Sequence, residues 1–306
     1  GRVTSILANE FAKIEGVSVT TVSYCQNNEP MLYELSEDIN KKFLYSNSIS
    51  MVKAILRHHA IKKLTKILKQ ENIDVVIACG ALFYPLAIIS AKLYGIKCFC
   101  WEHISPSVKA DYNFQGIARK MAVPFADKVI VLTKSAEKYY LDALKIKKEK
   151  LIQIYNPVSE SAATSKDYNS NSKKIISVGR LSYQKNFSLL VDVAAKVLPK
   201  YPEWRWDIYG SGEEHDELLE KIKSRGLEGR VNLMGQVNNL YERYGEYSFQ
   251  VMTSRYEGFP MSLIEGAANR LPLVSFDIET GPDEIIEDGV NGFLVEPENV
   301  DMMAEK

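Results

Sequence analysis

Residues 174–186 read K-I-I-S-V-G-R-L-S-Y-Q-K-N, and this run decides the fold. K-I-I-S-V has the composition of a buried parallel strand, and Gly179 and Arg180 end it. Lys185 follows five residues after Arg180, so two cations occupy one strand-to-helix loop. In doubly wound α/β sheets that loop lies at the carboxyl ends of the strands, where ligands bind. Arginine offers a fork of donors and lysine a mobile point charge, a pair suited to a diphosphate. Taken alone, the two cations also describe a solvated basic loop.

The same alternation runs outward in both directions. V-S-V-T-T-V-S-Y, D-V-V-I-A-C, I-K-C-F-C-W and K-V-I-V-L precede it as strands, with helical periodicity at 51–70 and 135–144 between them. W-D-I-Y-G, V-N-L-M-G, Q-V-M-T-S, P-L-V-S-F and G-F-L-V follow it. The polar stretch S-E-S-A-A-T-S-K-D-Y-N-S-N-S after Pro157 reads as a linker. These signals predict an α/β protein of two Rossmann-like doubly wound domains facing across a cleft, spanning 1–157 and 173–306, with a linker at 158–172. The chain opens on a helical pattern with no strand before it and closes inside another, which reads as truncation at both ends. Y-G-S-G-E-E ends a second strand of the later domain. There Gly210 and Gly212 allow close backbone approach to a ligand, or serve plain turn chemistry.

Composition sets the outer bounds. The 306 residues are 46% hydrophobic and 25% charged, as in ordinary globular proteins. No apolar run approaches the ~20 residues that span a bilayer. The four cysteines, Cys25, Cys79, Cys98 and Cys100, lack C-x-x-C pairing and read as buried reduced thiols of a cytoplasmic protein. The net charge of −1 hides an asymmetry: residues 1–160 carry 22 Lys/Arg against 15 Asp/Glu, and residues 161–306 carry 16 against 24. The basic half points to an anionic partner, a membrane surface or a phosphorylated substrate, rather than to nucleic acid. Residues 51–70 hold six Lys/Arg and no acid, with Val52, Ile55, Leu56, Leu64, Ile67 and Leu68 at helical spacing. Such a helix suits the surface of anionic lipid, or else its stripe faces the core.

Residues 254–270, S-R-Y-E-G-F-P-M-S-L-I-E-G-A-A-N-R, place Glu257 in a loop and Glu265 inside a helix. Pro260 suits the first helical turn, which leaves the amides near Met261, Ser262 and Leu263 free at the positive end of the helix. This is a ready phosphate site. Glu265 lies roughly 7 Å along the helix from Pro260 at 1.5 Å per residue. A nucleoside diphosphate sugar presents hydroxyls, diphosphate and hydroxyls in the matching order.

Together, G-R-L-S-Y-Q-K-N, D-I-Y-G-S-G, E-G-F-P-M-S-L-I-E and G-P-D-E-I-I-E-D-G-V-N-G-F-L-V resemble, in order and spacing, the retaining family-4 glycosyltransferases of the GT-B fold. Residues 1–157 are similar more loosely, through G-R-V-T-S-I-L, His103, A-D-K-V-I-V-L-T-K-S and I-Y-N-P-V. The resemblance implies transfer of a hexosyl unit from a nucleotide sugar, with uridine the expected base, to a sugar or lipid-linked sugar in cell-surface glycan synthesis. It implies no metal and no cofactor, in keeping with the absence of a D-x-D sequence. Carried over, Arg180 and Lys185 hold the diphosphate, Glu257 the donor sugar and Glu265 the ribose. The backbone around Gly258, Phe259 and Met261 meets sugar and phosphate, and His103 reaches the donor sugar from the acceptor-side domain. The family's first strand and most of its glycine-rich loop are missing here, and so are its closing C-terminal helices. His58, His59 and His215 lie in charged helical segments and read as surface residues. Three rival readings share the fold: a nicotinamide-dependent dehydrogenase, a nucleotide-sugar 2-epimerase and a non-catalytic nucleotide-sugar-binding subunit. The first wants a complete G-x-G-x-x-G after its first strand, and none is present.

Overall fold

The computed structural model describes residues 1–26, 34–47, 58–106, 114–158, 168–237 and 240–306. The chain divides into two compact units, Gly1–Pro157 and Val158–Lys306.

In the second unit six parallel strands form one sheet in the order β12-β11-β10-β7-β8-β9. They are β7 (Lys174–Val178), β8 (Arg205–Tyr209), β9 (Val231–Gly235), β10 (Phe249–Met252), β11 (Leu273–Phe276) and β12 (Gly292–Val295). The chain runs outward from β7 to β9, returns to β10 beside β7 and runs outward the other way. The order therefore reverses between β7 and β10, which pair at Phe249↔Ile175 and Gln250↔Ile176. All six strands were legible as apolar runs because helices cover both faces of the sheet. Residues 168–172, expected to belong to a structureless linker, are tied to this unit. The Tyr168 hydroxyl donates to the Ser248 carbonyl at 2.9 Å, and the Ser172 and Ser248 hydroxyls lie 3.0 Å apart.

The first unit opens on helix α1 (Arg2–Ala12). It holds a parallel pair, β1 (Thr20–Cys25) with β2 (Asn40–Tyr45). A four-stranded parallel sheet follows in the order β3-β4-β5-β6: Val75–Cys79, Lys97–Trp101, Lys128–Val131 and Leu151–Gln153. Helices α2 (His59–Gln70), α3 (Tyr84–Tyr94), α4 (Phe114–Phe125) and α5 (Lys134–Asp142) pack with them. The sequence reading missed two strands. β2 reads N-K-K-F-L-Y and hides behind its lysines, and β6 is only three residues long.

The helix expected over 51–70 needs correction where it is described. It begins at His59, because His58 adopts φ 58°, a left-handed value that a continuous helix excludes. Val52, Ile55 and Leu56 lie outside the described residues. Leu64 and Leu68 face inward, packing with Ile61, Leu44 and Leu86, and Ile67 lies against the same cluster. The described stripe is a core face. Lys62, Lys66 and Lys69 form its exposed back. All four cysteines are free; Cys98 and Cys100 are buried, while Cys25 and Cys79 are half-buried.

Helices α6 (Phe187–Val197) and α7 (His215–Ser224) follow β7 and β8. The loops that lead into them touch backbone to backbone. A Cβ on Gly210, whose φ is +141°, stands 1.8 Å from the Gly179 carbonyl oxygen, and one on Gly212 stands 2.2 Å from that of Leu181. Hydrogen bonds from the Gly179 amide to the Tyr209 carbonyl and from the Leu181 amide to the Ser211 carbonyl lock the contact. Gly210→Ala therefore combines a forbidden backbone angle with an unrelieved clash. It should cost about 3 kcal/mol or more, read as a lowered urea midpoint of the whole chain. An unchanged midpoint would contradict this packing.

Candidate functional site

Strand order reverses between β7 and β10, and in open α/β sheets the carboxyl ends of such a pair are where ligands bind. The loop after β7 carries Arg180 and Lys185; the loop after β10 carries Glu257. Side-chain and backbone hydrogen bonds join the two loops. The Arg255 amide donates to the Gln184 carbonyl at 2.8 Å, and the Thr253 hydroxyl to the carbonyls of Lys185 and Asn186 at 3.1 and 3.2 Å. Gln184 Nε2 donates to the Tyr256 carbonyl at 3.0 Å and reaches Glu257 Oε2 at 3.4 Å.

Across this joint, Lys185 Nζ lies 2.5 Å from Glu257 Oε1. The lysine stem lies over Gly179, where a Cβ would stand 3.0 Å from it. The same carboxylate oxygen accepts from the Ser254 hydroxyl at 2.7 Å, and Thr280 holds the Glu257 carbonyl. Glu257 is 7% exposed. Gly281 (φ +103°) packs beneath, with its Cβ position 2.6 Å from Pro260 Cδ. The sequence assigned Lys185 and Glu257 to different parts of a ligand; in the chain alone they hold each other. Arg180 is exposed and has no ion pair among the described residues.

The loop runs on through Gly258 and the buried Phe259 into helix α8 (Met261–Ala268). Pro260 is the N-cap, one residue earlier than expected. The amides of Leu263 and Ile264 turn back to the Pro260 carbonyl at 3.1 and 3.3 Å. The Leu263 amide is thus engaged, and the first amides of the helix, those of Met261 and Ser262, have no intrahelical acceptor. The Ser262 hydroxyl is buried without a hydrogen-bond partner among the described residues. Helix α8 is fixed from below by Gln250 Nε2, which donates to the Ser262 carbonyl at 3.0 Å. Gly266 makes room for that side chain, since a Cβ there would stand 2.0 Å from Gln250 Oε1. Glu265, one turn along, is 1% exposed, and its Oε2 accepts from the Tyr244 hydroxyl at 3.3 Å.

Gly210 and Gly212 border this region, but the close approach they permit is to the backbone of Gly179 and Leu181. This packing of loop on loop is a use of both glycines beyond the ligand approach and the turn chemistry read from the sequence. Sequence reasoning missed Gln184, Ser254, Thr280 and Tyr244. Ser254 and Gln184 flank predicted residues, and Thr280 directly precedes the G-P-D-E motif.

His103 belongs to the first unit, just past β4. Its ring stacks on Trp101 with centroids 5.7 Å apart and planes 19° from parallel. Nε2 is buried without a hydrogen-bond partner among the described residues, and burial lowers the pKa to about 4. The neighbouring Glu102 anchors the turn. Its carboxylate accepts from Arg119 Nε at 2.5 Å, from Arg119 Nη2 at 3.2 Å and from the Tyr140 hydroxyl at 3.1 Å. It also takes the Ile104 amide at 3.4 Å. His58 and His59 are exposed, and His215 pairs with Asp216 at 2.9 Å.

Comparison with known proteins bears on the family and the fold. The family described as Glycosyltransferase Family 4 matches residues 1–162, and that described as Glycosyl transferases group 1 matches residues 159–306. An uncharacterized glycosyltransferase of Haemophilus influenzae is 31% identical over 307 aligned residues, covering 99% of this chain and 84% of that protein. The amylovoran biosynthesis glycosyltransferase AmsD of Erwinia amylovora is 32% identical over 259 residues, 81% of this chain and 71% of its own. Among solved structures, a TarM mutant of S. aureus in complex with fondaparinux, alpha-GlcNAc-glycerol and UDP superposes with a TM-score of 0.73 at 25% identity. That match covers 80% of this chain, which spans 50% of the TarM chain. With matching family profiles over both units and a parallel Rossmann-like sheet carrying the site, the chain belongs to glycosyltransferase family 4 and has the GT-B fold.

Proposed function

We propose that the chain transfers a hexosyl unit from a UDP-sugar to a sugar or lipid-linked sugar, with retention of configuration, in cell-surface polysaccharide or glycolipid synthesis. The observation that carries this reading is the Lys185–Glu257 ion pair at the reversal of strand order, beside the open end of α8. The names of relatives in amylovoran and O-antigen biosynthesis, and the UDP held by TarM, support it.

Donor binding is then an exchange of partners. The diphosphate draws Lys185 away from Glu257 and engages Arg180, the amides of Met261 and Ser262, and the Ser262 hydroxyl. Glu257, released from its cation, accepts hydrogen bonds from hydroxyls of the transferred sugar, against the backbone of Gly258 and Phe259. Glu265 takes the ribose hydroxyls. The acceptor oxygen attacks the anomeric carbon from the side the diphosphate leaves. As the new C–O bond forms, the bond to the phosphate oxygen breaks, and the acceptor's proton passes to that oxygen. The protein supplies position and positive charge, with no metal required. His103 stays neutral at physiological pH, an imidazole able to hydrogen-bond a sugar hydroxyl. The exposed Lys62, Lys66 and Lys69 attract anionic lipid by charge alone, because the apolar side of their helix is spent on the core.

The two glutamates separate this reading from a nonspecific acidic surface. Glu265→Ala should weaken UDP by roughly 1–3 kcal/mol. Glu257→Ala should cost no UDP affinity, since it frees Lys185 for the diphosphate, while lowering turnover by ~10-fold or more. Calorimetry with UDP beside a rate assay with donor and acceptor reads both, and equal losses of UDP affinity would sink the assignment. Arg180→Ala or Lys185→Ala should each cost roughly 1.5–3 kcal/mol in diphosphate contact, and more in turnover than in binding.

His103 gives a pH test. Its folded pKa of about 4 lies below the ordinary 6.5, so between those values the unfolded chain binds a proton that the folded chain refuses. Its contribution to stability is complete above pH 6.5 and falls away toward pH 4, by roughly 3 kcal/mol in all. His103→Gln should flatten that slope, and proton NMR should place the wild-type midpoint near 4. A midpoint near 6.5 would show a solvated ring.

A further inference from the structure

Tyr244 lies in the 3₁₀ turn Leu240–Glu246, between β9 and β10. The sequence Y-E-R-Y-G-E-Y spaces Tyr241, Tyr244 and Tyr247 three apart, and a 3₁₀ turn repeats every three residues, so these side chains leave from one side. Two of them end in different chemistry. The Tyr247 hydroxyl lies 2.9 Å from Asp207 Oδ2 and 2.8 Å from the Tyr209 hydroxyl, while Asn232 Nδ2 closes on Asp207 Oδ1 at 2.8 Å. That network stays inside the core. The Tyr244 hydroxyl crosses to α8 and donates to Glu265 Oε2, between a side chain 0% exposed and one 1% exposed.

The Tyr244 ring packs among Ile176, Tyr209, Tyr247 and Leu271, where phenylalanine would fill almost the same space. The hydroxyl is therefore what this position adds, and its use is directional. A hydrogen bond to one carboxylate oxygen restricts the side-chain torsions and so biases the direction of the other oxygen. Helix α8 is itself immobilised by Gln250 and the gap at Gly266. The Tyr244 hydroxyl adds a directional restraint on the torsions of Glu265.

We propose that Tyr244 is the positioning residue that makes the donor site selective for a ribonucleotide, by orienting Glu265 toward the paired ribose hydroxyls. This rests on the assignment of Glu265 to the ribose. The test is calorimetry on the whole chain with UDP and with 2′,3′-dideoxyuridine diphosphate, for the wild type, Tyr244→Phe and Tyr247→Phe. Wild-type protein should prefer UDP by about tenfold or more. Tyr244→Phe should weaken UDP by about fivefold and leave the dideoxy compound unchanged, so most of the preference disappears. Tyr247→Phe should lower the melting temperature and keep the preference. If Tyr244→Phe retains the preference, or if both variants erode it equally, Tyr244 is only structural. Wild-type protein that binds both compounds alike, or neither, overturns the ribose assignment and this inference together.

Discussion

Strands β7 and β10 are neighbours although two strand-helix units separate them in the chain, and from this pairing the candidate site follows. Each strand ends in a loop, and hydrogen bonds from Thr253 and Arg255 join the two loops. Whatever they carry meets there. Here they carry opposite charges, Lys185 on one and Glu257 on the other, and their ion pair spans the joint. The helix that begins just past the glutamate adds its open amides to the same place. A reversal of strand order has thus brought a cation, a carboxylate and a helix terminus together from residues far apart in sequence.

Two ion pairs in this chain illustrate two uses of buried charge. Arg119 and Glu102 are sealed in the first unit, with Tyr140 adding a donor, and the carboxylate secures the turn that follows His103. Desolvating such a pair is expensive, and its attraction only offsets that cost when the geometry is tight. Lys185 and Glu257 are less deeply buried and lie beside the start of helix α8. Removing one partner would leave the other partly desolvated and unpaired, but the diphosphate of the proposed donor would supply a replacement charge. The first pair is suited to permanence and the second to substitution.

Much of this was legible in the sequence, for physical reasons. Parallel strands covered on both faces must be apolar throughout, so K-I-I-S-V and L-V-S-F announce themselves, whereas N-K-K-F-L-Y does not. The separation of the glutamates, one in a loop and one in a helix, follows from Pro260, although the proline caps the helix instead of entering its first turn. The pairing of Lys185 with Glu257 was not legible, because nothing local relates residues 72 positions apart. Thr280 and Gly281, which brace the glutamate loop, arrive from 23 residues downstream for the same reason. Tyr244 did leave a trace, three tyrosines at three-residue spacing, but that period belongs to a 3₁₀ turn and matches neither helix nor strand. The lysine-rich helix shows the opposite hazard: its amphipathic pattern reports that one side is covered, without saying by what.

The glycine contacts between the loops after β7 and β8 have a mechanical consequence. With carbonyl oxygens of one loop filling the space where the other lacks side chains, neither segment has slack against its neighbour. Arg180 stands between the two contact points, at Gly179 and Leu181, and so rides on a braced span instead of a free tether. A displacement imposed on Gly210 or Gly212 is transmitted to the Arg180 backbone as a rigid push. The long arginine side chain then acts as a lever of fixed pivot, free to sweep an arc but unable to drift from its anchor.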